Sequence, residues 1–213
     1  MIAGDIVEDA LRKIGVVAGD EPANADQSQS GLRALGRFLR SIQNREPDLW
    51  LATEMDIVLT TAAAYAPLPA HPRKINAARL VRAGVETPMM EITREEYDAL
   101  PVKTTTGLPS MWYFDRQRND GTLYVWPVMA AANGEIVRLT YERAIRVPDD
   151  VSDRVDAPDE WEEAIVYGLA ARLADDYGVD GSRVTPRAED EIRRVLSRDR
   201  EGSMFFGERH ARY

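Results

Sequence analysis

The sequence of 213 residues contains no cysteine and only two histidines. The absence of cysteine excludes disulfides, thiolate metal sites and cysteine nucleophiles. A serine triad would need one of the two histidines as its base. His71 falls in a predicted loop and His210 falls close to the end of the sequence, so we predict that both are solvated side chains rather than catalytic bases.

Long apolar runs and phosphate-binding motifs are also missing. No run approaches the ~18 apolar residues of a membrane helix, and the first residues lack the basic and apolar segments of a secretory signal. Neither GxGxxG nor GxxxxGKS/T occurs, and no group of His, Asp and Glu has metal-ligand spacing. We therefore expect no membrane span, no cofactor and no metal site.

Acidic residues outnumber basic ones, and lysine is scarce. The chain has 27 basic against 36 acidic residues, a net charge of -9, whereas a protein that binds nucleic-acid phosphates is basic somewhere on its surface. Lys13, Lys74 and Lys103 are the only lysines. The excess of arginine either favours bidentate pairing with carboxylates at interfaces or reflects a GC-rich genome.

Four amphipathic helices are predicted, two in each terminal region. Their apolar stripes consist of Ile2, Ile6, Val7, Leu11 and Ile14; of Leu32, Leu35, Phe38, Leu39 and Ile42; of Trp161, Ile165, Leu169 and Leu173; and of Ile192, Val195 and Leu196. Gly15 is predicted to end the first helix. Asn24 or Asp26 begins the second helix and Pro47 ends it. Pro158 begins the third helix and Gly178 ends it, and Thr185 with Pro186 begins the last. Each stripe needs a partner to cover it.

The middle of the chain has the two-residue period of strands. We predict strands at residues 55–60, 79–82 and 135–141. Residues 62–72 are rich in alanine and proline, which favours a loop or a ragged edge strand.

Two aromatic runs, residues 111–114 and 122–126, predict a hairpin around a polar loop that ends at residues 119–121. Upstream, Thr93 and Glu96 form the capping-box pattern of a short helix. Aromatic residues at period two are typical of a sheet core, and the alternative is a platform on which bases stack. The residues that would build this platform are Trp112, Tyr113, Phe114, Tyr124 and Trp126, with Arg116, Arg118 and Arg138 nearby.

These patterns predict a mainly α protein of the α+β class. Residues 1–49 and 148–202 would form one discontinuous helical bundle, because the helical pairs are too short to make separate domains. Residues 50–147 would be an inserted, small antiparallel β module. Residues 203–213 have no period that would hold them on this domain, and we predict an extended tail.

The tail combines apolar anchors with arginine, the residue types that supply most binding energy at protein interfaces. It is predicted to dock on a partner through Met204, Phe205, Phe206, Arg209 and Tyr213. The alternative is a frayed terminus.

Catalysis is not expected. The acidic pairs that could serve glycoside hydrolysis are Glu95/Glu96, Glu162/Glu163 and Asp175/Asp176. Adjacent residues on a helix point about 100° apart, which is poor geometry for flanking one bond. Two of the pairs lie at helix starts, where the dipole stabilises acids. We predict no catalytic residue, and a cell-wall glycosidase that uses paired carboxylates is the alternative.

The order of motifs resembles the head-to-tail adaptor family of short-tailed phages, also called packaged-DNA stabilisation proteins or tail accessory factors. The stretches that carry the resemblance are residues 9–16 (DALRKIGV), 31–43 (GLRALGRFLRSIQ), 91–117 (EITREEYDALPVKTTTGLPSMWYFDRQ), 121–128 (GTLYVWPV) and 156–179 (DAPDEWEEAIVYGLAARLADDYGV). In order and spacing they cover most of the chain.

The resemblance implies a virion protein at the head-tail junction. It implies a ring, typically of twelve copies, that lies under the portal, extends the DNA channel, helps to retain packaged DNA and offers a platform to tail proteins. It also implies that the tail wraps the portal protein through the five residues named above. An acidic chain of this kind would let double-stranded DNA pass without specific binding.

Overall fold

The structure is a computed structural model, and it describes residues 1–19, 21–45, 49–60, 63–68, 72–118, 121–131 and 134–199. The helices in these ranges are α1 (Ala3–Lys13), α2 (Ala25–Arg45), α3 (Arg94–Ala99), α4 (Glu162–Tyr177) and α5 (Val184–Asp199), with short 3-10 helices at Leu49–Leu51 and Asp159–Trp161. The strands are β1 (Ala52–Val58), β2 (Tyr65–Pro67), β3 (Lys74–Arg82), β4 (Val85–Glu91), β5 (Met111–Arg116), β6 (Gly121–Trp126) and β7 (Ile136–Glu142). The predicted α+β class is confirmed, but 40% helix against 27% strand does not establish a mainly α chain.

The chain divides into two compact units. Met1–Pro47 and Arg146–Tyr213 make up the first, here called the helical unit, and Asp48–Ile145 makes up the second, the sheet unit.

In the helical unit, α4 contacts α1, α2 and α5. It is apolar on most of its circumference, as a central helix must be. At Gly168 a Cβ atom would lie 2.0 Å from the Phe38 ring, so only glycine allows α2 and α4 to approach this closely. Gly178 ends α4 with a φ of 63°, as the sequence predicts.

The four predicted stripes largely form the core of this unit. Leu32, Ile192 and Leu196 are half-buried, and the prediction is wrong at Ile2, which is 41% exposed. The cap of α2 is Asn24, whose Oδ1 accepts a hydrogen bond from the Gln27 amide at 2.9 Å.

The sheet has the strand order β1-β7-β3-β4-β5-β6-β2. Every neighbouring pair is antiparallel except β4 and β5, which run parallel. The expected small antiparallel module is therefore wrong in two respects, because the sheet has seven described strands and is mixed. Residues 92–110 contain α3 and cross over between β4 and β5, which is the kind of connection that parallel neighbours require.

The curled sheet buries its inner face in one apolar cluster. The cluster consists of Ile57, Leu59, Leu68, Ile75, Ala78, Leu80, Met89, Trp112, Leu123, Val125, Met129, Val137, Leu139 and Tyr141.

The predicted aromatic hairpin is confirmed as β5 and β6, with Trp112 opposite Val125. The predicted loop or edge strand is confirmed as β2, three residues long at one end of the strand order.

The β3–β4 hairpin was not predicted. Its turn consists of Ala83 and Gly84, with φ angles of 48° and 79°. These left-handed values suit a tight hairpin turn, but Ala-Gly is a weak sequence signal for one.

Candidate assembly surfaces

The predicted docking residues cannot be placed on either unit. Met204, Phe205, Phe206, Arg209 and Tyr213 lie outside the described residues, as do both histidines. The surfaces that follow belong to the described part of each unit.

Charged side chains on β1, β7, β3 and β4 form a network on the outer face of the sheet. Arg138 Nε lies 2.8 Å from Asp56 Oδ1, and Arg138 Nη1 lies 2.7 Å from Glu86 Oε1. On the neighbouring strand Arg79 pairs with Glu54. The hydrogen bond from Arg138 holds the pKa of Asp56 below its ordinary value. These arginines are neutralised by carboxylates of their own sheet, and the predicted pairing of arginine at interfaces stays a prediction.

The other half of the same face carries tyrosines. Tyr113 and Tyr124 are cross-strand partners whose ring centroids are 5.8 Å apart, and Tyr97 from α3 lies 5.1 Å from Tyr124. Burial raises the pKa of Tyr97 and of Tyr113. Trp112 lies on the opposite face, in the core. The aromatic residues therefore pack on one another and on the core, which gives a base-stacking platform no support.

The helix capped by Thr93 is confirmed, and its geometry accounts for one candidate acid. Glu96 Oε2 accepts a hydrogen bond from the Thr93 amide at 2.7 Å, and the Thr93 hydroxyl accepts one from the Glu96 amide. These bonds lower the pKa of Glu96, whereas a glycosidase acid needs a raised pKa.

The other acidic pairs are exposed. Glu162 and Glu163 lie in the first turn of α4, and Asp175 and Asp176 lie in its last turn. Asp176 Oδ2 is 3.9 Å from Arg37 Nη2. Helix geometry and ion pairing explain these residues without catalysis, and the glycosidase alternative has no support among the described residues.

A row of arginines runs along the exposed face of α2. Arg33, Arg37 and Arg40 are separated by four and three positions, which puts them within about 60° of one another around the helix. The buried residues Leu35, Phe38 and Leu39 lie on the opposite side. Arg33 and Arg40 have no ion-pair partner among the described residues. The sequence analysis missed this row, although its helical spacing is visible in residues 31–43.

Three grooves border the arginine row. One, of about 390 Å³, lies between the row and the segment that includes Val147, Pro148 and Asp149, and Leu32 also lines it. A second, of about 260 Å³, is lined by Arg37 together with Arg172, Asp175 and Asp176. A third, of about 570 Å³, extends from Arg33 towards Asn24 and Tyr177. The exposed face of α2 is thus concave, cationic and partly apolar.

No group of three or more His, Asp or Glu side chains in the described ranges could hold a metal ion. No helix in that part of the chain is both long enough and apolar enough to cross a bilayer.

The described part of the chain thus combines a cationic, grooved face of α2 with a sheet face on which tyrosine rings pack together. The sequence profile of the SU10 adaptor protein family matches residues 1–206. The chain belongs to this family. It is a structural adaptor of the phage head-to-tail junction and a component of the virion, so the family, role and location expected from the sequence are confirmed.

One solved structure similar to this chain is described as the neck of an empty GTA particle, computed with C6 symmetry. The similarity covers 81% of this chain and 80% of that chain, at 17% identity and a TM-score of 0.31. No curated protein matches the sequence.

Proposed function

We propose that this adaptor forms a ring of twelve copies under the portal, extends the DNA channel, helps to retain packaged DNA and provides the platform to which tail proteins attach. The observation that carries the proposal is the family match over residues 1–206, which spans both compact units. In this proposal the chain is not an enzyme and needs no cofactor.

Each region of the chain has a part in the proposed ring. Residues 1–49 and 148–202 form its helical body, residues 50–147 are the β insertion, and residues 203–213 dock on the portal. The docking residues are Met204, Phe205, Phe206, Arg209 and Tyr213. An exposed Phe-Phe pair promotes association unless something covers it, which supports a partner at this segment.

DNA passes through the proposed channel without specific binding. The net charge of -9 repels phosphates. Arg79 and Arg138, which could attract them, are each paired with carboxylates on the sheet face.

The test is a mass measurement of the full chain, alone and mixed with its cognate portal ring. We expect a ring-sized complex on the portal, and a chain that stays monomeric with the portal present overturns the proposal.

Truncation after Gly202 tests the docking segment. The shortened chain should keep its circular dichroism spectrum and lose portal binding. Phe205→Ala with Phe206→Ala should weaken binding more than the control Glu208→Gln. Equal docking by the truncated chain refutes the role of residues 203–213.

A further inference from the structure

We infer that the arginine row on α2 docks the acidic start of α4 of a second copy. The inference deepens the proposed function, because it rests on ring assembly and names the contact between neighbouring copies.

The arginine row has the properties of an incomplete interface. Arg33 and Arg37 are four positions apart, and Arg37 and Arg40 are three apart, so like charges face each other along the helix and repel. The weak contact of Arg37 with Asp176, at 3.9 Å, is the one ion pair that the row makes with described residues. An anionic partner would remove this repulsion.

The grooves beside the row identify the kind of partner. Leu32, Val147 and Pro148 offer apolar contact, and Asp149 stands at the same groove as the arginines. A phosphate backbone gains little from apolar side chains, whereas a protein segment buries its own apolar atoms against them. The mixed lining therefore favours protein over DNA.

The same helical unit carries a matching set of carboxylates. Glu160, Glu162 and Glu163 are exposed at the start of α4 and make no ion pair with any described cation. Three carboxylates within four residues complement three guanidinium groups spread over about two turns of helix.

One copy cannot bring these two sets together. Arg37 contacts Asp176, and Arg172 donates a hydrogen bond to Ser41 Oγ at 2.6 Å, so α2 and α4 run antiparallel. Glu163 is thirteen residues before Asp176, about 20 Å away along α4. Two different, complementary patches on one chain produce a head-to-tail contact, and such contacts form a ring when the rotation between neighbouring copies closes.

Charge reversal with mixing tests the inference. One variant carries Arg33→Glu, Arg37→Glu and Arg40→Glu, and the other carries Glu160→Arg, Glu162→Arg and Glu163→Arg. Each alone should associate at least tenfold more weakly than the wild type, and an equimolar mixture should recover association because every contact is again between opposite charges. Sedimentation with and without portal rings measures the effect, and Arg183→Glu with Arg193→Glu is the matched control.

A milder double variant controls for the possibility that charge reversal weakens association by unfolding the chain. Arg33→Gln with Arg40→Gln keeps the Arg37–Asp176 contact and should also weaken association, more strongly at low salt than at high salt. Unfolding curves establish that each variant is folded.

The remaining outcomes separate this inference from the proposed function. If the wild type forms rings and both reversed variants do so equally well, the inference is overturned and the ring stands. If the wild type forms no ring even with the portal, both fall. If the arginine variant assembles normally but loses affinity for duplex DNA, the row is a DNA contact and the inference is overturned.

Discussion

In the helical unit, α2 and α4 approach so closely that Gly168 has no room for a side chain beside Phe38. The outer face of the sheet unit is instead covered by charges that pair across four strands, with Arg138 between Asp56 and Glu86. The arginines of these two surfaces thus differ in their use. The sheet arginines Arg79 and Arg138 form ion pairs with carboxylates of the fold. On α2, apolar packing stabilises the fold, and the arginine row stays available for assembly.

The largest effect is expected from Phe38→Ala, which tests whether apolar packing dominates the helical unit. Loss of a buried ring costs about 3–5 kcal/mol, because the ring fills the space left by Gly168. Denaturant unfolding followed by circular dichroism measures the loss. Tyr65→Ala, at a position 59% exposed in the sheet unit, is the control and should stay within about 0.5 kcal/mol. Equal losses would contradict the comparison.

The next largest effect is expected from Arg138→Met in the sheet unit. Without the guanidinium, Asp56 and Glu86 lose their shared cation, so the thermal midpoint should fall. The fall should shrink in about 1 M salt, where charges are screened beyond about 3 Å. Arg193→Met, which breaks an exposed pair with Asp190, is the control. An equal fall of the thermal midpoint in the two variants would show that the charges of the sheet do not stabilise the fold.

Acid should weaken the same network. The pKa of Asp56 is lowered from its ordinary value of 3.8 by Arg138. The stabilisation is therefore fully present above pH 3.8 and is lost as the pH falls below it through the lowered pKa. Carboxyl titration by NMR should give a lower midpoint in the wild type than in Arg138→Met. Identical midpoints would remove Arg138 as the cause.

The smallest effect is expected from Arg40→Gln in the α2 row. Removal of one of three neighbouring cations relieves repulsion, so the free energy of unfolding should change by less than about 0.5 kcal/mol, towards greater stability. Chemical denaturation measures it. A loss of more than about 1 kcal/mol would mean that the arginine already has a partner in the fold, and the contrast between the two units would fail.

Local signals predicted much of the helical unit. The stripes around Leu11, Phe38 and Leu169 follow the helical period, and one buried face per helix is what that period encodes. The end of α4 at Gly178, and in the sheet unit the capping box at Thr93, depend on neighbours within a few residues. These features need no knowledge of distant contacts.

The sheet was harder to predict because its pattern depends on non-local pairing. In β4, Met89 is the one buried residue, so the strand shows no alternation of apolar and polar residues. The parallel pairing of β4 with β5 follows from the crossover that contains α3, which no local pattern reveals. The α2 row was overlooked because charges on a solvated face are common. That Arg33 and Arg40 have no ion-pair partner in the described part of the chain is visible only in the structure.

The position of α4 in the chain has a consequence for synthesis. Residues 46–161 separate α2 from the helix against which it packs. At bacterial elongation rates of about 5–20 residues per second, the ribosome takes roughly 6–23 s to deliver them. During that interval α1 and α2 wait with their apolar faces incompletely covered, while the described strands of the sheet unit are synthesised one after another. The nascent chain is therefore most exposed to chaperone binding and aggregation in its N-terminal region, which contains α1 and α2.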